Sequence, residues 1–421
     1  MAEAAATHLI LKARLLFDGT GSEAQAGRAV LLAAGKIVAV GEATQIEQQA
    51  PPGSEVFDLG DACITPGLID THTHVSLSAD GRSYVELFSQ TDEVLVLAGV
   101  ANLRRHLAAG VTTLRDNGAR NMVGFSLKEG LRRGYIQGPR LLASGRSITC
   151  TEGHFHMCNE VADGEVGLRQ SVRRLVHQGA DFIKIMASGG GTVGTLPGRA
   201  SYSVEELRAA VGEAHQFGRL TSAHCRARQA MERAVEAGVD MLEHAEFLDP
   251  DNQMRFDAGL ARTLRECGTW IGPTLQARTG YPRMAQLYAR REAGEITPAE
   301  EQTLTQMEER SERPLDTVRG MLDCGLKEQI VPGTDCGVGN LEFGHLDYDM
   351  MLLVRAGFTP GESLRAATGV SAEAIGLGAE IGTIEPGKVA DLAVFAGDPT
   401  ADLSALSQVV AVYQAGRRVT V

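Results

Sequence analysis

Through the middle of the chain, short apolar runs alternate with longer stretches whose apolar residues have helical spacing. One such stretch places Leu207, Val211 and Ala214 on one face and opens with Ser203 and Glu206, the pattern of a helix capping box. The eight apolar runs are ITPGLIDTHTHV, GVTTLRDNG, PRLLASGRSIT, DFIKIMASGGG, RLTSAHC, VDMLEHAEF, TWIGPTL and QIVPGTDCG. Eight strands that alternate with helices predict an α/β fold, specifically a (β/α)8 TIM barrel.

Both ends of the chain have a different pattern, in which strand-like runs are separated by Gly, Asp and Pro. HLILKARLLFDG, AVLLAAGKIVAVG and EVFDLGDACI lie near the start, and ADLAVFAGD and QVVAVYQAGRRVTV lie near the end. We therefore predict a small β-sandwich domain built from residues 1–65 and 373–421, which flanks a barrel of residues 66–372. A polar, helix-prone stretch from about 285 to 328 is typical of a solvated helical excursion.

Composition excludes several classes of function. The chain has 40 Lys and Arg against 53 Asp and Glu, a net charge of −13, and no basic run, so we expect no nucleic-acid or membrane partner. No apolar run reaches the roughly 18–20 residues of a membrane span, and Glu3, Lys12 and Arg14 interrupt the start in a way that disfavours a signal peptide. Seven cysteines without a CxxC pair favour reduced thiols in a cytoplasmic protein.

Residues of the types that bind metals collect at the ends of the predicted strands. A single histidine at a strand end is more often an ordinary polar residue than a ligand, but the first strand ends in an HxH pair whose imidazoles point the same way. Six such residues on five strand ends of one barrel predict a metal site at its mouth. They are His72 and His74 on the first strand, Lys184 on the fourth, His224 on the fifth, His244 on the sixth and Asp335 on the eighth.

These motifs, in this order, resemble the amidohydrolase superfamily. PGLIDTHTH matches its first-strand motif, VPGTD its eighth-strand motif, and GTIEPGKVADLAVF the C-terminal signature of its small β domain. The resemblance extends over nearly the whole chain. KIMASGG followed by SAH, LEH and PGTD is most similar to the branch of Xaa-Pro dipeptidases and metallo-carboxypeptidases, and imidazolonepropionase-like proteins share much of this pattern.

The resemblance implies a binuclear metal centre. Its ligands would be His72, His74 and Asp335 for one metal and His224 and His244 for the second. Lys184 would bear a CO2-derived carbamate that bridges both metals; burial beside two cations lowers the pKa of its amine from about 10.4, so that the neutral amine can attack CO2. Imidazole and carboxylate ligands suit two zinc ions, with Mn, Co or Fe as alternatives. A hydroxide bridging the metals would be the nucleophile, and Asp335 would transfer its proton to the leaving nitrogen.

Residues that select the substrate are harder to predict. The loop after the third strand contains His154 and His156, and in the resembling enzymes a histidine at this place contacts substrate. Arg226, two residues after the fifth-strand histidine, could clamp a carboxylate bidentately; relatives often have Tyr or His there, which points away from ordinary Xaa-Pro specificity. His345, in the loop after the eighth strand, is a further candidate. The alternative for each histidine is a loop cap, and for Arg226 the first turn of a solvated helix.

The leading hypothesis is a binuclear metal-dependent amidohydrolase that cleaves the amide C–N bond of dipeptides or N-acyl amino acids. The alternative applies the same chemistry to a xenobiotic amide, urea or carbamate, which an apolar pocket around Phe155, Met157 and Met186 would favour. A deaminase is disfavoured because His224-Cys-Arg-Ala227 lacks the Glu of an HxxE motif, and a non-catalytic barrel because all six ligands are present. We also expect a small-molecule substrate and a homo-oligomer.

Overall fold

Strands and helices alternate along most of the protein. The structure is a computed structural model and describes residues 8–420. Predictions that concern residues 1–7 and 421, including Glu3, lie outside the described residues. The strands are β1 (Leu9–Lys12), β2 (Leu15–Leu16), β3 (Gln25–Ala26), β4 (Arg28–Ala33), β5 (Lys36–Glu42), β6 (Glu55–Asp58), β7 (Ala62–Pro66), β8 (Leu68–Thr73), β9 (Val111–Asp116), β10 (Arg140–Ala143), β11 (Ile148–Thr149), β12 (Glu160–Val161), β13 (Phe182–Met186), β14 (Leu220–Ala227), β15 (Met241–Leu248), β16 (Trp270–Gly272), β17 (Leu392–Ala396), β18 (Val409–Gln414) and β19 (Arg417–Arg418).

The helices fill most of the intervals between the strands of the central part. They are α1 (Ala43–Gln49), α2 (Tyr84–Phe88), α3 (Asp92–Ala108), α4 (Val123–Arg132), α5 (Gly164–Gln178), α6 (Val204–Gln216), α7 (Arg228–Ala237), α8 (Ala258–Cys267), α9 (Leu275–Thr279), α10 (Tyr281–Glu292), α11 (Pro298–Asp323), α12 (Leu346–Ala356), α13 (Pro360–Arg365) and α14 (Ser371–Ala374). The capping box predicted for Ser203 and Glu206 is confirmed at the start of α6. Between residues 8 and 420, no helix combines the length and the apolar character needed to cross a membrane.

Strands from both ends of the chain form two sheets that share a core. One has the order β5–β4–β1–β6 and the other β19–β18–β17–β7–β2–β3. β17 pairs antiparallel with β7, so a strand from the C-terminal end completes a sheet begun at the N-terminal end. One buried apolar cluster includes Leu11 and Val30 from the first sheet and Ile64 and Val394 from the second. The two termini therefore depend on each other for their packing.

The central strands form two parallel sheets, β10–β9–β8 and β12–β11–β13–β14–β15–β16. β8, β9, β13 and β15 are buried along their whole length, as expected for parallel sheets with helices on their outer face. A hydrogen bond from the Asp181 N–H to the carbonyl of Ala143 (3.0 Å) connects the end of β10 to the start of β13. The two sheets are thus neighbours at this edge.

The eighth predicted strand, QIVPGTDCG, is not a regular strand. Its ends make isolated parallel bridges, Ile330 with Ile271 at β16 and Cys336 with Thr73 at β8. Pro332 in its middle has no N–H to donate, which interrupts a ladder. The segment still lies between β16 and β8, and the N–H of Asp335 donates to the carbonyl of His72 at 2.8 Å. This hydrogen bond fixes Asp335 next to the end of β8.

The stretch predicted as a solvated excursion forms α10 and α11, and it is partly buried. Met284, Leu287 and Leu304 form an apolar cluster of their own between these two helices. α11 also packs against α9 and α12, and its buried positions include Leu315. The excursion therefore supports α9, the short helix that follows the seventh central strand, from outside.

Two glycines differ in the space around them. Gly67 joins β7 to β8, and a Cβ there would lie 2.0 Å from Oγ1 of Thr112. Gly212 lies within α6, and a Cβ there would meet nothing within 4 Å. Only the first position requires glycine for close packing.

Candidate active site

The structure brings all six predicted ligand residues to one cavity at the carboxyl ends of the central strands. Each of these residues is at most 6% exposed to solvent. They come from β8, β13, β14, β15 and the segment after β16, as the strand-end pattern predicted. The six residues that line the cavity together are His72, His74, Lys184, His224, His244 and Asp335.

The tightest group of donor atoms joins the two β8 histidines to the carboxylate. Nε2 of His72 and Nε2 of His74 lie 3.5 and 3.4 Å from Oδ1 of Asp335. One potential ligand atom from each of the three lies within 4.8 Å of the others. The rings of His224 and His244 complete the group, with centroids 4.5 Å apart, and His244 lies 5.1 Å from His72.

Two of these histidines are oriented by side chains behind them. Nδ1 of His72 lies 2.8 Å from Oε2 of Glu243, and Nδ1 of His244 lies 2.7 Å from Oγ1 of Thr274. With Nδ1 engaged, Nε2 is the nitrogen left to face the cavity. Hydrogen bonds of this kind fix the ring orientation of a metal-binding histidine and its tautomer.

The other two histidines are oriented by backbone carbonyls. Nδ1 of His74 lies 3.2 Å from the carbonyl oxygen of Gly118, and Nε2 of His224 lies 3.2 Å from that of Gly189. His74 therefore presents Nε2 to the cavity, whereas His224 presents Nδ1. Each of the four rings has one nitrogen held and one nitrogen available.

Glu243 is a fully buried anion beneath this group, and sequence reasoning did not identify it. Besides His72, it accepts a hydrogen bond from Oγ of Ser222 at 2.5 Å and lies 3.7 Å from the Arg115 guanidinium. Burial alone would raise the pKa of its carboxyl, but the contact with His72 and the charges of Lys184 and Arg115 lower it to about 2. The anion in turn balances the buried positive charge of Arg115.

Lys184 lies on β13, lines the same cavity and is 1% exposed. Burial, with help from the Arg115 charge, lowers the pKa of its amine to about 8, although Glu243 and Asp335 oppose this. Its Nζ is 3.3 Å from Oδ1 of Asn117. A lysine with a lowered pKa has a larger neutral fraction near pH 7, and the neutral amine is the nucleophilic form.

The backbone near the donors is strained. His244 and Asp335 have φ values of 70° and 55°, and Thr274, which holds His244, has 48°. Asp and His enter the left-handed region more readily than most residues other than Gly, but a β-branched residue such as Thr274 is an outlier there, at a cost on the order of 1–3 kcal/mol. The surrounding hydrogen bonds offset that cost in order to aim these side chains into the cavity.

The donor set fits divalent metal ions. Burial, followed by the neighbouring positive groups, lowers the pKa of His72, His224 and His244, so these imidazoles are neutral and have a free lone pair. Burial would raise the pKa of the Asp335 carboxyl, but the neighbouring rings of His74 and His72 and the Arg278 guanidinium hold it well below its usual range. Neutral imidazole and ionised carboxylate are the ligands that zinc takes in hydrolases.

One wall of the cavity is charged. Nε and NH2 of Arg226 donate to the two carboxylate oxygens of Glu246 at 2.7 and 2.9 Å. Arg278, on α9, donates through NH1 to Glu246 at 3.1 Å and through NH2 to Asp335 at 3.4 Å. Arg226 thus lies where the sequence predicted, but its guanidinium is already paired, and the prediction omitted both Arg278 and Glu246.

A second wall of the cavity is aromatic and apolar. The rings of Tyr84, on α2, and Phe155 meet edge to face with centroids 4.5 Å apart, and Phe88 lies 6.1 Å from Phe155. Phe155 and Met186 belong to one buried cluster and line the cavity, as the apolar-pocket alternative expected. Met157, the third residue of that expectation, is instead 37% exposed.

His154 also lines the cavity. Its Nδ1 lies 2.9 Å from Oγ1 of Thr192, and burial lowers the pKa of its ring to about 3, so it is neutral. Gly190 packs against the ring so closely that a Cβ there would lie 2.4 Å from Nε2 of His154. The residue is therefore held in place on both sides.

The structure does not bring His156 and His345 to the cavity, which corrects two of the predicted substrate contacts. Nδ1 of His156 bonds the carbonyl of Gly153 at 3.0 Å, so this histidine caps its own loop. His345 stacks on Tyr348 in a separate surface groove, because the chain after the eighth strand runs back along α3, where the Gly344 N–H bonds His106.

Comparisons with known proteins identify the family of this chain. The family model described as "Amidohydrolase family" matches residues 63–419. Ochratoxinase from Aspergillus niger is 25% identical over 96% of this chain and 84% of its own length. A prolidase in complex with N-methylphosphonate-L-proline has a TM-score of 0.81 at 25% identity, covering 98% of this chain and 100% of the other. A Xaa-Pro dipeptidase with methionine bound in its active site is similar in fold. Its TM-score is 0.82 at 24% identity, and the match covers 99% of this chain and 100% of the other.

Proposed function

Because the chain belongs to the amidohydrolase family and is an amide-hydrolysing enzyme, we propose that it is a binuclear metal-dependent hydrolase of dipeptides or N-acyl amino acids. The observation behind this proposal is the convergence of four oriented histidines, a lysine with a lowered pKa and an ionised aspartate in one buried cavity. Prolidase and Xaa-Pro dipeptidase among the similar structures favour a substrate with a peptide-like C–N bond.

The proposed fold is a (β/α)8 barrel of residues 66–372 with a β-sandwich of residues 1–65 and 373–421. Hydrogen bonds at both edges of the segment 330–336 and between β10 and β13 support closure of the two parallel sheets. The mixed cluster of residues from both chain ends supports the sandwich. In such a barrel the carboxyl ends of the strands are the catalytic face, which is where the cavity lies.

Two metal ions, zinc by ligand type, would be held by the six residues of the donor group. His72, His74 and Asp335 would hold one ion, His224 and His244 the other, and a carbamate on Lys184 both. The closeness of the Asp335 carboxylate to the β8 histidines supports the first set. When bound, the ions supply Lewis-acid polarisation of the scissile carbonyl and lower the pKa of water.

The protein's own residues supply the proton transfer. The ionised Asp335 would accept a proton from the attacking water and return it to the nitrogen as the C–N bond breaks, so that amide and water give a carboxylate and an amine. His154 would donate its Nε2–H to the carbonyl oxygen, because Thr192 engages Nδ1. Arg226 would contribute to the carboxylate side of the cavity.

A second candidate function is hydrolysis of a xenobiotic amide, urea or carbamate. The aromatic wall formed by Tyr84, Phe155 and Met186 favours it, since an apolar substrate without a carboxylate would bury against that wall. Similarity to ochratoxinase is compatible with this candidate. The charged wall favours the first proposal, because Nε of Arg278 lacks a hydrogen-bond partner in the described chain and an uncharged substrate brings no anion to it.

Metal content and substrate preference test the proposal together. We expect metal-loaded enzyme to contain two ions per chain by elemental analysis and to hydrolyse dipeptides or N-acyl amino acids faster than aryl ureas and carbamates. Lys184→Met should lose an ion and activity while the circular dichroism spectrum stays unchanged. One ion per chain in fully reconstituted, active enzyme, or full activity of the Lys184 variant, would contradict the binuclear proposal.

A further inference from the structure

The charged wall contains two arginines that share one carboxylate, that of Glu246. Arg226 satisfies both oxygens of Glu246 with short bonds, whereas Arg278 shares one of those oxygens. The second contact of Arg278 is with Asp335, at 3.4 Å, and Nε of Arg278 is buried without a hydrogen-bond partner in the described chain. Charge-assisted hydrogen bonds normally measure about 2.7–2.9 Å, so Arg278 is the less satisfied of the two cations.

The backbone around Arg278 holds this guanidinium at the cavity. The N–H of Gln276, in the same short helix, donates to the buried carboxylate of Asp349 at 2.9 Å, and the side chain of Gln276 donates to the carbonyl of Thr334 at 3.0 Å. α11 packs against the helix from outside. A guanidinium on a rigid base loses little entropy when it binds a carboxylate.

The aromatic wall and the charged wall belong to the same cavity. Tyr84 and Phe155 line it together with Arg278, Arg226 and Lys184. A substrate whose scissile carbonyl lies at the donor group therefore meets both apolar and positively charged side chains. Each of the two substrate classes considered above would contact mainly one wall. A single molecule with both a carboxylate and a large apolar group would contact both walls.

We propose that the substrates are N-acyl amino acids with a large apolar acyl group and a free carboxylate, that Arg278 binds this carboxylate, and that Tyr84 and Phe155 bind the acyl group. This inference rests on the amide hydrolase proposed above. In it, Arg226 is a positioning residue that acts through Glu246. The reaction consumes one water, breaks the C–N bond and releases an apolar carboxylic acid and an amino acid.

Three substrates separate these contributions: N-benzoyl-leucine, N-acetyl-leucine and N-benzoyl-leucinol, which lacks the carboxylate. Arg278→Met should lower kcat/KM for N-benzoyl-leucine by roughly 10- to 150-fold, mainly through KM, and lower that for N-benzoyl-leucinol much less. Arg228→Met is the matched control, because Arg228 makes a similar two-point pair with Asp249 outside the cavity; its constants should stay within about twofold of wild type.

Tyr84→Ala tests the aromatic wall. It should reduce the preference for the benzoyl over the acetyl substrate by about 2- to 13-fold, the value of an aromatic pair, without changing the preference for the carboxylate. Equal losses on the acid and the alcohol in Arg278→Met, or loss of the acid preference in Arg226→Met alone, would overturn the assignment of Arg278. An unchanged benzoyl preference in Tyr84→Ala would overturn the acyl site.

Failure of the underlying function has a different signature. If metal-loaded wild-type enzyme hydrolyses none of the three substrates and no dipeptide, the proposed amide hydrolysis of amino-acid derivatives is wrong. If it hydrolyses N-benzoyl-leucinol as fast as N-benzoyl-leucine, the function stands and the carboxylate inference fails.

Discussion

Replacement of Glu243 by glutamine should weaken metal binding and destabilise the fold through two separate contacts. The carboxylate orients His72 from behind and is the one anion within 4 Å of the Arg115 guanidinium in the described chain. Loss of an outer partner of a metal histidine typically weakens metal affinity about 10- to 100-fold. Loss of one member of a buried ion pair costs about 3–5 kcal/mol, because the remaining charge is buried without compensation.

The thermal shift follows from the size of the protein. At ~2.1 cal/mol/K per residue, a chain of 421 residues has an unfolding entropy near ~0.9 kcal/mol/K. A loss of 3–5 kcal/mol therefore lowers Tm by roughly 3–6 °C. Tm is measured by calorimetry in chelator, so that metal loss does not contribute, and metal affinity by competition with a chromophoric chelator.

A double variant separates the two effects. Arg115→Met combined with Glu243→Gln removes the uncompensated cation, and it should recover most of the lost stability while metal affinity stays low. If the double variant is as unstable as the single one, the buried charge of Arg115 is not the cause. If Glu243→Gln binds metal within twofold of wild type, Glu243 does not set the orientation of His72.

Three further predictions concern other parts of the molecule. Asp335→Asn should keep the fold but lose about 10²- to 10⁴-fold in kcat, because it removes the proton acceptor; near-normal turnover in steady-state assays would exclude that role. Gly67→Ala should lower the free energy of unfolding by about 1–3 kcal/mol, because the added Cβ overlaps with the neighbouring strand. Gly212→Ala, where a Cβ meets open space, should raise the free energy of unfolding by about 0.5–1 kcal/mol. Denaturant titration compares the two variants, and equal effects would refute the packing argument. The Asp347 carboxylate, 3.7 Å from Nδ1 of His345, raises the pKa of that imidazole, so the pair stabilises the folded state below the unfolded pKa, about 6.5, and this contribution is lost as pH rises through the folded value. His345→Asn should remove that pH dependence from chelator-treated protein, and an unchanged profile would contradict it.

The donor residues could be found from the sequence because regular strands place them. A residue at the end of a parallel strand faces the same edge as its neighbours, so His72, His224 and His244 converge once the strands are recognised. Glu243 and Arg115 left a signal that was not used: each is an ionisable residue inside an apolar run, and such residues need a buried partner. Their pairing across two strands follows from that requirement.

The cavity walls could not be found in the same way. Tyr84 and Arg278 lie on short helices in irregular connections, where no periodicity relates sequence position to direction. His345 was predicted at the cavity for the same reason, since nothing in the amino-acid sequence after Asp335 shows that the chain returns along α3. Loop residues reach a site through tertiary hydrogen bonds, such as that between Gly344 and His106, which have no local pattern.

The proposed metal donors and the aromatic wall are encoded on different stretches of chain, and this separation affects how the enzyme can evolve. The donors occupy strand ends, where a substitution disturbs a strained backbone and several hydrogen bonds at once. The aromatic wall comes largely from the connections around Tyr84 and Phe155, which can change length and composition at little cost to the strands. Exchange of these connections between homologues, or randomisation in directed evolution, should therefore yield new acyl preferences on an unchanged hydrolytic centre.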